Sequence, residues 1–140
     1  MIKSIKKNTL LLRAFTLQEL LIVLVIVGIL VLLSLPRLMP LISKAKSTEA
    51  KLQLEHLYNL QKLHFMEYSK FSSDLNKISF EQAGLVTDNN GNANYKIEMV
   101  NSGVNTFLAR ATAVVDFDGD GEYNIWEIDH NKNLVEINKD

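Results

Sequence analysis

The chain has 140 residues, enough for one folded domain together with one membrane-spanning segment. It contains no cysteine, so no disulfide bond holds any part of it. Fifteen Lys and Arg against sixteen Asp and Glu give a formal net charge of −1. Their distribution lacks the clustered basic face of nucleic-acid-binding domains, and no specific nucleic acid is predicted as a partner.

Residues 15–35 form an apolar run, FTLQELLIVLVIVGILVLLSL, that contains a single acid, Glu19. At about 1.5 Å per helical residue, this run would extend about 30 Å, the thickness of a bilayer's hydrocarbon core. The basic residues near it are Lys3, Lys6, Lys7 and Arg13 before the run, and Arg37, Lys44 and Lys46 after it. The denser cluster before the run predicts that the N-terminus stays in the cytoplasm while the rest of the chain crosses.

Two ordinary explanations of the apolar run fit poorly. A secretory signal peptide would end in a small-residue cleavage site, but no A-x-A pattern follows the run, and the small residue Ala14 lies before it. A plain membrane anchor explains the length but leaves Glu19 unexplained. Because a carboxylate within a spanning segment is costly, Glu19 needs a partner or a function.

Residues 14–23, AFTLQELLIV, resemble the class III signal of type IV pilins and pseudopilins. The resemblance implies that a prepilin peptidase cuts between Ala14 and Phe15, discards residues 1–14 as a leader and methylates the new amino group of Phe15. The family usually has Gly before the cut, whereas this chain has the small residue Ala14. Gly28 and Pro36 fall where the family places residues that soften the helix.

The resemblance also implies a function, that of a structural subunit in a helical homo-oligomeric filament. The precursor would be a single-pass inner-membrane protein, and a pilus or secretion assembly machinery would polymerise it into an extracellular or periplasmic filament. Glu19 would pair with the N-terminal amine within or between subunits during assembly. Family roles include surface adhesion, twitching motility, DNA uptake and biofilm formation. A type II secretion pseudopilin or a minor pilin is the alternative, and a membrane-anchored calcium-binding module without a filament is the second alternative.

The predicted helix has two halves, residues 15–36 in the membrane or filament core and residues 37–68 beyond it. Pro36 and Pro40 lack amide donors and should loosen the helix between the halves. The second half carries apolar residues on more than one side, which predicts burial on two sides. One side would pack on a sheet of the same subunit and the other on neighbouring helices.

Residues 69–94 are predicted to connect the helix to a sheet. Within them, Ser72-Ser73-Asp74 indicates a turn or cap, residues 80–85 a short helical turn ended by Gly84, and residues 88–94 a polar loop.

Beyond residue 94 the apolar period changes to two, which is typical of strands. We expect four strands, at residues 95–100, 106–115, 123–129 and 134–138, and therefore an antiparallel sheet over residues 95–140. A long N-terminal helix packed on such a sheet is an α+β fold, and it is also the pilin architecture.

One stretch matches the twelve-residue calcium loop D-x-D-x-D-G-x5-E. The candidate ligands are Asp116, Asp118, Asp120, Glu122, Asn124 and Glu127. Glu122 would offer its backbone carbonyl, Asn124 would act through water, and Glu127 would bind with both oxygens. Carboxylates two residues apart in a tight loop would offer the hard oxygen atoms that Ca²⁺ prefers, and Gly121 would permit the turn. The same Asp-Gly-Asp-Gly sequence is also a strong hairpin signal without any metal, and strand alternation alone explains Glu127. Both interpretations stay open, and a bound ion would do the work of the missing disulfide.

The sequence shows no arrangement of catalytic residues. No G-x-S-x-G, phosphate-binding loop or paired catalytic carboxylate is present, and His56 and His64 lack the spacing of a metal pair on a helix. We therefore expect a structural protein rather than an enzyme, with Ca²⁺ as the one possible cofactor.

Overall fold

The computed structural model describes residues 15–139. Helix α1 (Leu17–Tyr68) is followed by a short 3-10 helix (Asn76–Ile78) and four strands: β1 (Tyr95–Ser102), β2 (Phe107–Ala113), β3 (Ile125–Asp129) and β4 (Leu134–Asn138). The strands form one antiparallel sheet in the order β1-β2-β3-β4, in which each strand pairs with the next along the chain. The predicted α+β fold, with a long N-terminal helix and a small antiparallel sheet, is confirmed.

The chain separates into two compact units, with the boundary between Pro36 and Arg37. In the first unit, Leu17–Leu35 is long and apolar enough to cross a membrane, and none of it is buried within the chain. The helical backbone of α1 continues through Pro36 and Pro40, in agreement with one long helix rather than an anchor that ends at the first proline.

In the second unit, α1 buries a single stripe of side chains. Its residues are spaced by alternating steps of four and three, the period that keeps one helix face toward a core. They are Ser43, Ser47, Ala50, Leu54, Leu57 and Gln61. The apolar members join a core cluster with the side chains of one face of the sheet.

Strand β2 shows the clearest alternation in the sheet. Phe107, Ala109, Ala111 and Ala113 are buried, and the residues between them are partly exposed. Three of these four are alanines and they lie at the centre of the core cluster with Ala50 of α1. Small side chains on both surfaces fill little of the space between helix and strand, so larger side chains from β1 and β3 complete the core.

Polar side chains fasten the connecting region to α1. The amide of Gln61, fully buried, donates to Ser72 O at 2.7 Å and accepts from Ser72 N at 3.0 Å. Near the start of β1, the Glu49 carboxylate accepts from the backbone and side-chain nitrogens of Asn94, at 2.8 and 2.7 Å. Lys46 donates to the Asn94 side-chain oxygen at 2.8 Å. These hydrogen bonds satisfy polar groups that burial would otherwise leave unpaired.

The predicted helical turn at residues 80–85 is wrong. The helical turn of this region is the 3-10 helix at Asn76–Ile78, and residues 80–84 have no regular secondary structure. Tertiary contact explains the difference: the Gln82 side chain accepts from Ile97 N at 2.8 Å and donates to Tyr95 O at 3.2 Å. Because β1 is an edge strand, these bonds satisfy backbone groups that no neighbouring strand reaches.

The first hairpin also turns later than the sequence indicates. Strand β1 continues to Ser102, with a register shift between Met99 and Asn101, and the turn is closed by Gly103 N donating to Thr106 O at 2.7 Å. The last turn lies where it was expected, between Asp129 and Asn133.

Candidate functional site

The N-terminal end of α1 is closed by a pair of side chains, Thr16 and Glu19. Glu19 Oε2 accepts from the backbone nitrogen and from the hydroxyl of Thr16, both at 2.8 Å. In return, Thr16 Oγ1 accepts from the backbone nitrogen of Glu19 at 3.3 Å. This reciprocal arrangement is a capping box, which satisfies two of the backbone donors that a helix start leaves unpaired. Both bonds to the carboxylate fall on Oε2, and no residue in the described range donates to Oε1.

Thr16 is the site residue that sequence reasoning missed. Its signal was present, because Thr16-x-x-Glu19 before an apolar run is the sequence pattern of a capping box. The prediction that Glu19 pairs with an amine did not include Thr16, the partner three residues before it. The cap uses Oε2, so Oε1 is left for the amine pairing that the sequence predicts.

The surroundings of Glu19 are apolar. Phe15, Leu20, Ile22 and Val23 line a shallow cavity of about 430 Å³ with Glu19 at its edge. The Phe15 side chain is 82% exposed, and each of the others is more than half exposed. The unit therefore presents a carboxylate within a continuous apolar surface and has no partner for that surface inside the described chain. Ala14, the residue before the predicted cleavage, lies outside the described residues.

Gly28 and Pro36, the predicted softening residues, both lie in the helical part of the backbone. A Cβ added at Gly28 would meet no atom within 4 Å. No close contact within the described chain therefore requires glycine at this position.

The acidic loop between β2 and β3 brings three of its six predicted ligands together. One carboxylate oxygen each of Asp116, Asp118 and Asp120 lies within 4.8 Å of the others. Gly119 and Gly121 adopt positive φ angles of 83° and 92°, a conformation that favours glycine and lets the chain turn around the carboxylates.

Asp116 organises the loop backbone. Its Oδ1 accepts from Gly119 N at 2.6 Å and its Oδ2 accepts from Gly121 N at 2.8 Å. These bonds, that from Gly121 first, hold the pKa of the Asp116 carboxyl below its usual range because they favour the charged form. Asp118 and Asp120 each accept from a backbone nitrogen two residues on, at 3.1 and 2.7 Å.

The other three candidates were predicted to bind in other ways, Glu122 through its backbone carbonyl, Asn124 through water and Glu127 through both carboxylate oxygens. Their side chains have partners outside the group of three aspartates. Glu122 Oε2 accepts from Asn138 Nδ2 at 3.1 Å. The Glu127 carboxylate pairs with Arg110 across the β2–β3 ladder, with Oε1 at 2.6 Å from Nη2 and 2.8 Å from Nε. Their side chains are thus engaged away from the three aspartates.

Asn124 is fully buried and links three parts of the sheet. Its Oδ1 accepts from the Tyr95 hydroxyl at 2.8 Å, while its Nδ2 donates to Glu136 Oε1 at 2.8 Å and to Asn138 O at 3.1 Å. The side chain therefore ties the loop after β2 to β1 and β4. This is the kind of fastening that a chain without cysteine needs near its C-terminal end.

Comparison with known proteins gives one informative similarity. No protein-family model matches the chain. Over 68 residues, it is 41% identical to a type IV major pilin protein PilA from Myxococcus xanthus (strain DK1622). The matched segment covers 49% of this chain and only 31% of that relative. This chain is therefore similar, over about half of its length, to part of a type IV major pilin, and its long N-terminal helix and four-stranded antiparallel sheet form an α+β, pilin-like fold.

Proposed function

We propose that the chain is a structural subunit of a type IV pilus filament, assembled through its apolar helix. The observation that carries the proposal is the first unit, where an apolar surface from Leu17 to Leu35 lies fully exposed around the Glu19 carboxylate. Such a surface is unstable in water and needs either lipid or other copies of the helix. A precursor in the inner membrane, with its N-terminus in the cytoplasm, and a filament outside it would supply these two environments in turn.

The outer face of α1 in the second unit supports the same proposal. Opposite the buried stripe, α1 exposes a set of apolar side chains, Ala45, Leu52, Leu63 and Met66. They do not contribute to the core of the sheet domain. A helix that is apolar on both sides is expected to be covered on both sides, and neighbouring helices of the filament would cover this one.

Processing would complete the N-terminal site. In the proposal, prepilin peptidase cuts after Ala14 and methylates Phe15, which removes four basic residues and leaves 11 basic against 16 acidic side chains. The new amine would lie one residue before Thr16, at the same end of α1 as Glu19. Oε2 caps the helix, and Oε1 would accept the amine of the same or a neighbouring subunit, an attraction that strengthens as water is excluded.

The test of processing is the intact mass and N-terminal sequence of protein sheared from the cell surface. We expect a chain that begins with N-methyl-phenylalanine at Phe15. An intact leader, or absence of the protein from the sheared fraction, would contradict the proposal and favour a plain anchored module.

The charge of Glu19 can be separated from its capping role. Glu19→Gln keeps an acceptor for Thr16 N, since glutamine also forms capping boxes, but removes the charge that would attract an amine. We expect this variant to be inserted and cleaved yet to give few or no filaments. The matched control, Thr16→Ala, loses the cap and keeps the charge, and should still assemble. Normal filaments from Glu19→Gln would refute the charge role.

A type II secretion pseudopilin or minor pilin remains the alternative within the family. The matched relative is named a major pilin, which favours a pilus and an abundant subunit. Quantitative mass spectrometry of sheared filaments distinguishes the two, because a major subunit would dominate the fraction and a minor one would be a trace component. Adhesion, twitching motility, DNA uptake and biofilm formation would follow from the filament and can be scored in a deletion strain.

We also propose that the acidic loop binds Ca²⁺ through Asp116, Asp118 and Asp120. Three converging carboxylates on a glycine-shaped loop fit a hard cation, although the positions of Asn124 and Glu127 leave the ion fewer side-chain ligands than a full twelve-residue loop provides. The full chain in an uncharged detergent should melt at a higher temperature with Ca²⁺ than with chelator. Asp118→Asn should abolish the difference, and the control Asp88→Asn, outside the loop, should keep it. Identical wild-type melting curves with Ca²⁺ and chelator would remove the proposal.

A further inference from the structure

Three lysines line one cavity of the second unit. The cavity, of about 290 Å³, lies between α1 and the β3–β4 edge of the sheet, and its wall includes Lys44, Lys51 and Lys139. The ion pairs within the described residues are Lys96–Glu98 and Arg110–Glu127, so none of these three lysines has a carboxylate of residues 15–139 within 4.0 Å. Glu136 is the acid in the wall, and its Oε1 already accepts a hydrogen bond from Asn124.

The cavity arises from the helix period and the sheet register. Ser43 and Ser47 belong to the buried stripe of α1, and Lys51, four residues after Ser47, lies at the border of that stripe. Trp126 of β3 also lines the cavity, and it pairs in register with Glu136 of β4. Lys51 Nζ lies 4.2 Å from the centre of the Trp126 ring, a cation–π contact that holds one positive charge against the wall.

Trp126 adds a second, independent feature. Its side chain is about nine-tenths buried, and its indole N–H has no hydrogen-bond acceptor among the described residues. Less than 1 Å² of this nitrogen is exposed, so it lies inside the wall and offers the cavity no donor. Trp126 contributes its ring, which holds Lys51 in place. The wall therefore presents three ammonium groups and one carboxylate, that of Glu136, while the hydroxyl of the buried Ser47 already donates to Lys44 O at 2.9 Å.

We propose that this cavity binds a phosphate-type oxyanion, either free or in the headgroup of an anionic phospholipid. Such a group brings several acceptor oxygens and one or two negative charges, which complement the three ammonium groups. The three ammonium groups outnumber the single carboxylate of the wall, that of Glu136, although the net charge of the whole chain is −1. The proposal does not depend on filament assembly.

Trp126 is the one tryptophan of the chain, so its fluorescence reports on the cavity directly. Inorganic phosphate is titrated into the full chain in an uncharged detergent, with sodium chloride adjusted to keep the ionic strength constant. We expect a saturable change in Trp126 emission. Lys51→Met should raise the Kd about tenfold, the effect of losing one charge-assisted contact. The matched control, Lys62→Met, removes a lysine that lies over the Tyr58 ring on the same helix and should leave the Kd unchanged.

Lys51→Met also alters the surroundings of the fluorophore, so Lys44→Met provides a second variant that leaves the ring contact in place. It too should raise the Kd, and circular dichroism should show unchanged folding. A change in emission that never saturates, or equal Kd values for wild type and both cavity variants, would overturn the proposal.

Nanodiscs separate the two sources of the oxyanion. If a lipid headgroup is the natural ligand, discs that contain phosphatidylglycerol should give the emission of the phosphate-saturated protein, and added phosphate should have no further effect. If free phosphate is the ligand, titrations in phosphatidylglycerol and phosphatidylcholine discs should coincide. Emission that is identical in both discs and insensitive to phosphate would refute binding from either source.

Discussion

The two units of the chain obtain their stability from different places. In the second unit, Leu54, Leu57, Tyr95 and Ile128 are fully buried against one another. In the first, residues of the same chemical type, from Leu17 to Leu35, are exposed along their whole length. Burial of apolar area is the main driving force in both cases, but only the second unit finds that burial within its own chain.

Two glycines show what this difference means for single residues. A Cβ at Gly91 would overlap the backbone carbonyl of Leu85, so the fold of the second unit explains why glycine is there. A Cβ at Gly28 would touch nothing within 4 Å. At Gly28 of the first unit, the reason for glycine must therefore be the flexibility of the helix, or contact with lipid or with another copy of the helix.

The largest effect on stability should come from the buried stripe of α1. Leu54→Ala should lower the free energy of unfolding by about 2–5 kcal/mol, because it removes a fully buried side chain and leaves a cavity. Leu52→Ala is the matched control, since Leu52 is two positions away and 63% exposed. It should leave the melting temperature almost unchanged and reduce filament yield instead. Equal thermal destabilisation by the two variants would break the distinction between an inner and an outer face of α1.

The sequence predicted these two faces because apolar periodicity is a local property. In the structure, the buried residues of α1 are spaced by three and four and those of β2 by two. Strand β4 has the predicted bounds. Strand ends and the turn at residues 80–85 were less predictable. Gln82 is drawn to the edge of β1 by a strand that begins thirteen residues later, and no local pattern reveals that contact.

The acidic loop shows the same limit at the candidate site. Spacing alone placed six oxygen ligands in one loop, and the structure brings three carboxylates together. Glu127 lies opposite Arg110 in the β2–β3 register, and Asn124 lies beneath the sheet with Tyr95. The partner of a polar side chain depends on strand register, and the spacing of residues in a motif contains no information about register.

Asn124 should produce the next largest effect in the second unit. Asn124→Ala leaves the buried Tyr95 hydroxyl without its acceptor and removes the donor to Glu136, which should reduce stability by about 1–3 kcal/mol. Asn131→Ala is the control, because this residue takes part in its turn through its backbone nitrogen. Chemical denaturation of both variants measures the difference. If the two midpoints coincide, Asn124 does not replace a disulfide as the fastening of the C-terminal strands.

A glycine pair tests the contrast between the units directly. Gly91→Ala forces Cβ against the Leu85 carbonyl and should cost about 1–3 kcal/mol, the range for overpacked sites. Gly28→Ala should not lower the melting temperature, because alanine stabilises a helix interior relative to glycine. Any harm from Gly28→Ala should therefore appear in assembly. A fall in melting temperature with Gly28→Ala would show that the first unit has internal constraints that its exposed surface does not reveal.

The smallest expected effect is that of pH on stability. It arises in the acidic loop of the second unit, which is held by hydrogen bonds to Asp116 and not by a hydrophobic core. Hydrogen bonds from Gly121 and Gly119 lower the pKa of Asp116, and its charged form is thus favoured by folding. The stabilisation is fully present above the ordinary carboxyl range and is lost as the pH falls through the lowered pKa. Melting temperatures of the full chain, measured with chelator from pH 7 to pH 3, should fall with decreasing pH.

Asp116→Asn should weaken this dependence on pH, because asparagine does not titrate and its amide nitrogen cannot replace the second carboxylate oxygen as an acceptor. Asp129 provides a comparison in the turn between β3 and β4. Burial raises the pKa of this carboxyl, but hydrogen bonds from the backbone and side chain of Asn133 and the backbone of Asn131 outweigh it and lower the pKa overall. Asp129→Asn should therefore flatten the curve as well, and the double variant should flatten it most. A steep acid-induced fall that persists in the double variant would contradict the assignment of the pH dependence to these two turns.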